Sequence, residues 1–287
     1  LKTNTINKIK RYYRDKGYLN ATANIESVVD TSVNNAVLLN IFIEPGERVK
    51  IRDINFHGNV ELSDKKLRKA MEETKRKRIW SLFRSSKLIK EEYKNDRQLI
   101  IDAYNENGFR DARILRDSIY QVSDDRVVID IHVEEGHKFY FGSIDWLGNT
   151  KYPSEVLENV LRIRRGDVYD GQLLQERLFF DPNGNDVSSL YLDNGYLFFQ
   201  LNPVEVRVEN DSIDYEMRIS EGRQATINAV SVSGNDRTND HVVMRELRTR
   251  PGALFRRSDV QRTYRELAQL GFFDPQALDV STLPNPQ

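Results

Sequence analysis

Three clusters in this sequence of 287 residues have the residue types and spacing for chemistry. His132, Glu134 and His137 offer imidazole and carboxylate donors, and on a strand positions 132 and 134 share a face. His137 lies beyond Gly136, however, and no fourth ligand is apparent, so these read as solvated strand-face residues. Asp181-Pro182-Asn183-Gly184-Asn185-Asp186 sets oxygens at positions one, three and five, as a calcium loop begins. Its glycine falls at the fourth position instead of the sixth, and Leu192 stands where the bidentate glutamate belongs. That stretch reads instead as a helix-breaking loop, with Asp186 or Ser188 capping the next turn. The third cluster is the segment 75–90, which carries seven basic residues and no acidic one. Lys75, Arg76, Lys77, Arg78 and Arg84 surround Trp80 and Phe83, a combination suited to anionic lipid headgroups or an acidic partner. The plainer alternative is a solvated loop whose aromatics pack on their own domain.

Other chemistries have little support. With no cysteine there is no disulfide scaffold, thiolate nucleophile or Cys-ligated metal, and the four histidines join no nucleophile motif. The expectation is no catalytic residue, no cofactor and no metal. Lys and Arg total 43 against 44 Asp and Glu, so no global positive field favours nucleic acid. Aromatics make up 10% of the chain, which implies packed cores and argues against disorder. No apolar run is long enough for a spanning helix. The chain starts at Leu1 with neither initiator Met nor signal peptide, and reads as a fragment.

The elements that hold these residues follow from an internal repeat. A charged glycine knot, Glu44-Pro45-Gly46-Glu47-Arg48, recurs as Glu134-Glu135-Gly136-His137-Lys138 and Ser220-Glu221-Gly222-Arg223-Gln224. Twelve residues after each knot glycine stands a Gly-Asn pair: Gly58-Asn59, Gly148-Asn149 and Gly234-Asn235. A third marker joins an aromatic or Leu to a Gly-aromatic pair four residues on: Tyr13 to Gly17-Tyr18, Tyr104 to Gly108-Phe109, Tyr191 to Gly195-Tyr196, Leu267 to Gly271-Phe272. Between knot and Gly-Asn the apolar residues alternate (Ile54 and Phe56, Ile144 and Trp146, Val230 and Val232), which predicts a short strand. A helix follows the Gly-Asn turn, and a second ends at the Gly-aromatic marker. Its clearest start signal is the capping-box pattern Ser258-Asp259-Val260-Gln261. Two strands close the unit, the last with Val127, Ile129, Ile131 and Val133 on one face.

The unit is β-α-α-β-β, and the fold class is α+β: a tandem array of modules, each a three-stranded sheet with two helices on one face. Residues 47–136 and 137–222 form complete modules. Residues 1–46 carry the second helix and final strands of a preceding one, and 223–287 lack the last strand. The joints at Pro45–Val49, Gly136–Phe139 and Gly222–Ala225 leave little room for a flexible linker, so an elongated array with limited bending is expected.

This order, the strand-to-Gly-Asn turn, the helix closing on Gly-Tyr or Gly-Phe and the Glu-Gly knot resemble POTRA domains over the whole chain. More narrowly they resemble the periplasmic region of BamA-type outer-membrane protein assembly factors. The inter-helix insertion at 75–88 is similar to the third module of a five-module series, and the segments 243–248 and 267–273 to the last. The resemblance implies a non-catalytic array at the periplasmic face of the outer membrane of a Gram-negative bacterium. Its implied partners are unfolded outer-membrane proteins, accessory lipoproteins and its own C-terminal β-barrel, to which the basic segment 75–90 would add an anionic lipid surface. Arg245, Glu246 and Arg248 are the implied lipoprotein contacts, while Pro251 replaces the acidic residue the family often has before the turn glycine. Clients would add as strands to an exposed sheet edge, which demands no particular side-chain sequence. The resemblance puts the second strand of 47–136 at that edge: Ala112, Arg113, Ile114, Leu115, Arg116, Asp117, Ser118, Ile119, Tyr120 and Gln121. No proline interrupts it, whereas Pro203 interrupts its counterpart in 137–222. Two other readings are a POTRA region of a two-partner-secretion or translocation pore, and a periplasmic metal-dependent hydrolase.

Overall fold

The computed structural model describes residues 2–30, 32, 35–75, 88–235, 238–274 and 276–283. Two compact units emerge, Leu1–Lys138 and Phe139–Gln287. The first begins with α1 (Lys2–Asp15) and a hairpin, β1 (Thr22–Val29) and β2 (Val37–Glu44). It continues with β3 (Lys50–His57), α2 (Asp64–Ala70), α3 (Lys90–Asn105), β4 (Arg113–Ser123) and β5 (Arg126–Glu134). The second runs β6 (Tyr140–Leu147), α4 (Ser154–Leu161), α5 (Gly171–Gln175), α6 (Val187–Leu192), β7 (Gln200–Glu209) and β8 (Ser212–Ser220), then α7 (Asp240–Glu246) and α8 (Arg257–Gln269).

Each three-stranded sheet places its last strand in the middle, in the orders β3-β5-β4 and β6-β8-β7. The central strand is parallel to the first and antiparallel to the second. Alternation explains the choice. Val127, Ile129, Ile131 and Val133 of β5 all bury one face, against Leu67 and Met71 at the end of α2 and Ile100 and Tyr104 of α3. In the second unit Ile213, Tyr215 and Met217 of β8 meet Leu157, Leu161, Leu174 and Tyr191 in the same way. The helices start where side chains can take the first free N–H groups. Ser63 accepts from Lys66 N, and Asp170 from Leu173 N.

The second helix of 137–222 is split. α5 passes into a π-helical turn at Glu176–Phe180, and the chain leaves the helix at Asp181-Pro182 before α6 starts. Asp186 caps α6, accepting from both the N–H and the hydroxyl of Ser189 at 2.7 Å, as the helix-breaking reading requires. Asp181 faces Arg177 and the Asn183 N–H.

Two local expectations are corrected. Residues around Val230 and Val232 form no strand among the described residues, although both valines pack on Val243, Leu247 and Leu267. The physical reason is the missing partner: β3 and β6 are strands because β5 and β8 pair with them, and no described strand does so here. The capping box at Ser258 is also absent. α8 begins at Arg257, and the Ser258 N–H donates to Asp193 Oδ1 at 2.8 Å, so the cap comes from the end of the preceding module's helix.

Candidate functional site

The repeat markers meet in space, and their meeting positions the sheet edge. Glu135 of the knot is buried, and its carboxylate accepts from the N–H groups of Val60, Glu61 and Leu62, 2.9–3.2 Å away, in the loop after Gly58-Asn59. Burial first, and then the nearby Glu135 carboxylate, push the phenol of Tyr104 upward. In the next module Glu221 receives the Lys151 N–H at 2.8 Å, the Thr150 hydroxyl and the Tyr191 hydroxyl at 3.2 Å. Burial raises the Glu221 pKa, but those bonds outweigh it and hold the group below the ordinary carboxylate range. Asn59 and Asn149 close the same loop, donating to Leu62 O and Tyr152 O. Gly58 and Gly148 adopt positive φ, and a Cβ on either would lie within 2.3 Å of the carbonyl oxygen of Val133 or Ile219. The markers keep register because they are parts of one clamp tying the end of the central strand to the turn after the first.

One edge of each sheet is covered in part. The carbonyl of Val49 accepts from Leu88 N and that of Phe139 from Tyr169 N, so these described inter-helix residues lie beside the start of β3 and β6. Phe255 N donates to Ala225 O at the matching place in 223–287, where no described strand follows. β4 and β7 occupy the opposite edge, and no described strand pairs with their outer sides.

The expected client residues Ala112–Gln121 therefore fall on this edge, with Ala112 buried just ahead of β4. A bulge between Ile114 and Arg116 leaves Leu115 out of register, and the ladder is regular from Arg116↔His132 to Gln121↔Val127. Ile114 packs against the core, and Asp117 pairs with Arg97 of α3 at 3.5 Å. Arg116, Ser118 and Tyr120 pair with His132, Asp130 and Val128, which puts them on the face away from the helices. There a polar row crosses the whole sheet. His57 stacks on His132 with ring centres 4.6 Å apart, and an Arg116 nitrogen lies 3.4 Å from His132 Nε2. Asn55 donates to Asp130 at 2.8 Å. Partial burial, then Arg116 and His57, hold the His132 imidazole below its usual pKa. Sequence reasoning singled out His132, set Asp130 on the same strand face by its alternation with Ile129 and Ile131, and missed Asn55 and His57. Their alternation with Ile54 and Phe56 was the available signal.

β7 is the matching edge strand of the second sheet. Pro203 lies in its ladder opposite Met217, and a bulge interrupts it between Glu205 and Arg207. Beside it a groove of about 600 Å³ is lined by Phe179, Leu192, Phe199 and Leu201.

The remaining candidates are dispersed. Arg76, Lys77, Arg78, Trp80, Phe83 and Arg84 lie outside the described residues. Lys75 is described, its amine 3.4 Å from Arg68 O. The root of that segment is held by Asp96, buried on α3, whose carboxylate accepts from the N–H groups of Glu72, Glu73 and Thr74. Arg248 makes a two-pronged bond to Glu266, at 3.0 and 2.9 Å, and Arg245 pairs with Glu246 at 2.8 Å. Glu134 is engaged by Arg113. Among the described residues no group of three or more His, Asp or Glu side chains is arranged to hold a metal ion.

Comparison with known proteins agrees with this architecture. The family model POTRA, described as surface antigen variable number repeat, matches residues 49–136, 139–222 and 225–286. The chain is 31% identical over 280 residues to "Outer membrane protein assembly factor BamA" of Neisseria meningitidis serogroup B, covering 96% of this chain and 34% of that protein. It is 24% identical over 279 residues to a "Putative outer membrane protein assembly factor" of Treponema pallidum, covering 95% of this chain and 32% of the other. The chain thus spans about a third of the length of these curated relatives. The crystal structure of Haemophilus influenzae BamA POTRA3-5 shares the fold, with a TM-score of 0.59 at 22% identity over 79% of this chain and 87% of that one.

Proposed function

Because the chain belongs to the POTRA family, whose modules are not enzymes, we propose that it is a scaffold of an outer-membrane β-barrel assembly machine. In this reading it lies at the periplasmic face of the outer membrane of a Gram-negative bacterium, next to its own C-terminal barrel. Its work is to receive unfolded outer-membrane proteins by strand addition and to dock accessory lipoproteins. The similarity to assembly factors over 96% of the chain supports the setting. The observation that carries the mechanism is the state of β4: an edge strand without proline, paired on its outer side by no described strand, in a sheet whose other edge is partly covered. Such an edge offers backbone donors and acceptors to any extended client. Arg113, Arg116 and Asp117 along it discourage self-association. The modules would be 47–136 and 137–222, flanked by the partial modules 1–46 and 223–287. Arg245, Glu246 and Arg248 would meet a lipoprotein, and the basic segment 75–90 an anionic lipid surface or acidic partner.

Proline at the edge tests this. Leu115 lies in the bulge, so the informative positions are Ser118 and Ile119 in the regular ladder. Successive strand residues aim their N–H groups to opposite sides, so one of Ser118→Pro and Ile119→Pro removes an outward donor. Each variant, shown to be folded by circular dichroism, would be assayed for binding an unfolded outer-membrane β-barrel protein. At least one should lose binding. Binding at the parent level by both folded variants would remove β4 as the client site.

A further inference from the structure

The charges on β4 are not equivalent. Arg113 is held by Glu134 on the neighbouring strand, and Asp117 by Arg97 of α3. Arg116 is exposed and has no carboxylate partner among the described residues; its polar contact is the imidazole of His132. Two acids flank His132 on that face. Glu134 is held by Arg113, while Asp130 accepts from Asn55 and lies 3.9 Å from His57 Nε2. The row His57–His132–Arg116 therefore ends, at the free edge, in an unmatched guanidinium.

We infer that strand addition at β4 is selective: the edge takes extended segments bearing an acidic side chain, which pairs with Arg116 on the open face. This inference rests on the edge reading above and deepens it by naming the chemistry of the partner. A strand laid along β4 brings a side chain to within about 5 Å of Arg116, Cβ to Cβ, on the same face. An aspartate or glutamate there completes the row, while a lysine or arginine faces a cation that no described carboxylate pairs with. The bulge at Leu115 fixes the register. The regular ladder begins at Arg116, so the acid belongs at one end of the added segment. Ile119 and Tyr120, both partly exposed and on opposite faces, favour apolar neighbours further along.

The test uses the full chain and short fluorescent peptides of alternating Thr and Val, with a single Glu, Gln or Lys near one end. Fluorescence anisotropy at low salt should show the Glu peptide binding about two- to fivefold more tightly than the Gln peptide, and the Lys peptide more weakly than both. Arg116→Glu should reverse the order of the Glu and Lys peptides. Ser118→Pro or Ile119→Pro should abolish binding of all three. Equal affinities, with binding still sensitive to proline, would overturn the acidic preference and leave the edge reading standing. No binding by any peptide, or binding indifferent to both prolines, would overturn the two together.

Discussion

Removing the Glu135 carboxylate is expected to cost the first unit about 3 kcal/mol, although the side chain touches no proposed partner. Three backbone N–H groups point at it. That of Leu62, a residue 3% exposed, cannot turn to water when the acceptor goes. A hydrogen bond to a charged group is worth about 1.5–3 kcal/mol, and an orphaned buried donor forfeits most of it. Val60 is exposed and Glu61 stands beside it on the loop, so water can serve their N–H groups at a cost of a few tenths each. Glu135→Ala should therefore lose about 2–4 kcal/mol, a large part of a domain's usual margin. Glu135→Gln should lose roughly half of that, since an amide oxygen still accepts while its NH₂ group opposes the donors. Glu134→Gln one residue away is the control, because it breaks an exposed pair with Arg113 worth at most about 1 kcal/mol. Urea unfolding by circular dichroism gives the loss, and amide hydrogen exchange assigns it to Leu1–Lys138. The second unit has its own clamp at Glu221 and should be unchanged. A loss below about 0.5 kcal/mol, or equal losses for Glu134→Gln and Glu135→Gln, would refute the clamp.

Gly148→Ala should destabilise the second unit by more than about 2 kcal/mol, through positive φ and a carbonyl oxygen 2.1 Å from the new carbon. Gly252→Ala, with positive φ but open space around it, should cost about 1 kcal/mol in the same melt; equal costs would contradict the close approach. The Glu266 carboxyl, held down at about 2 by its bonds to Arg248 and Arg262, should titrate near that value by NMR. Its contribution to stability is present above pH 4.5 and lost as pH falls from 4.5 through 2, because the unfolded chain binds the proton first. Arg248→Ala should return the midpoint toward 4.5, and an unmoved midpoint would show that the pair does not form in solution. Asp193→Ala removes the cap on the Ser258 N–H and should speed amide exchange in the first turn of α8, leaving β8 protected; unchanged exchange there would mean that α8 starts without help from the preceding module.

Much of the module could be read from spacing alone. The alternation of Val127, Ile129, Ile131 and Val133 names a half-buried strand, and Gly-Asn before an apolar-periodic stretch names a turn into a helix. Both are local properties that any partner would satisfy. The helix break at Asp181-Pro182 and the cap at Asp186 were legible for the same reason. Val230 and Val232 show where that reasoning stops. Their pattern matches Ile54 and Phe56, yet a strand exists only when a second strand takes its hydrogen bonds, and here no described strand does.

The candidate site divides along the same line. The sequence placed the second strand at an edge through its resemblance to POTRA domains, and its residues showed a run without proline that bears charges. Only the tertiary structure decided which of its residues are open. Arg113, Arg116 and Asp117 look alike as a string of letters. Glu134 comes from 21 residues away to hold Arg113, and Arg97 reaches across from α3 to hold Asp117, while among the described residues the polar contact of Arg116 is His132, itself stacked on His57. The bulge at Leu115 decides this, by shifting the strand one residue against β5 so that Arg116 faces away from the helices and Asp117 toward them. A charge is spent or free according to what the fold brings within a few ångströms of it, and that distance is a property of register and packing.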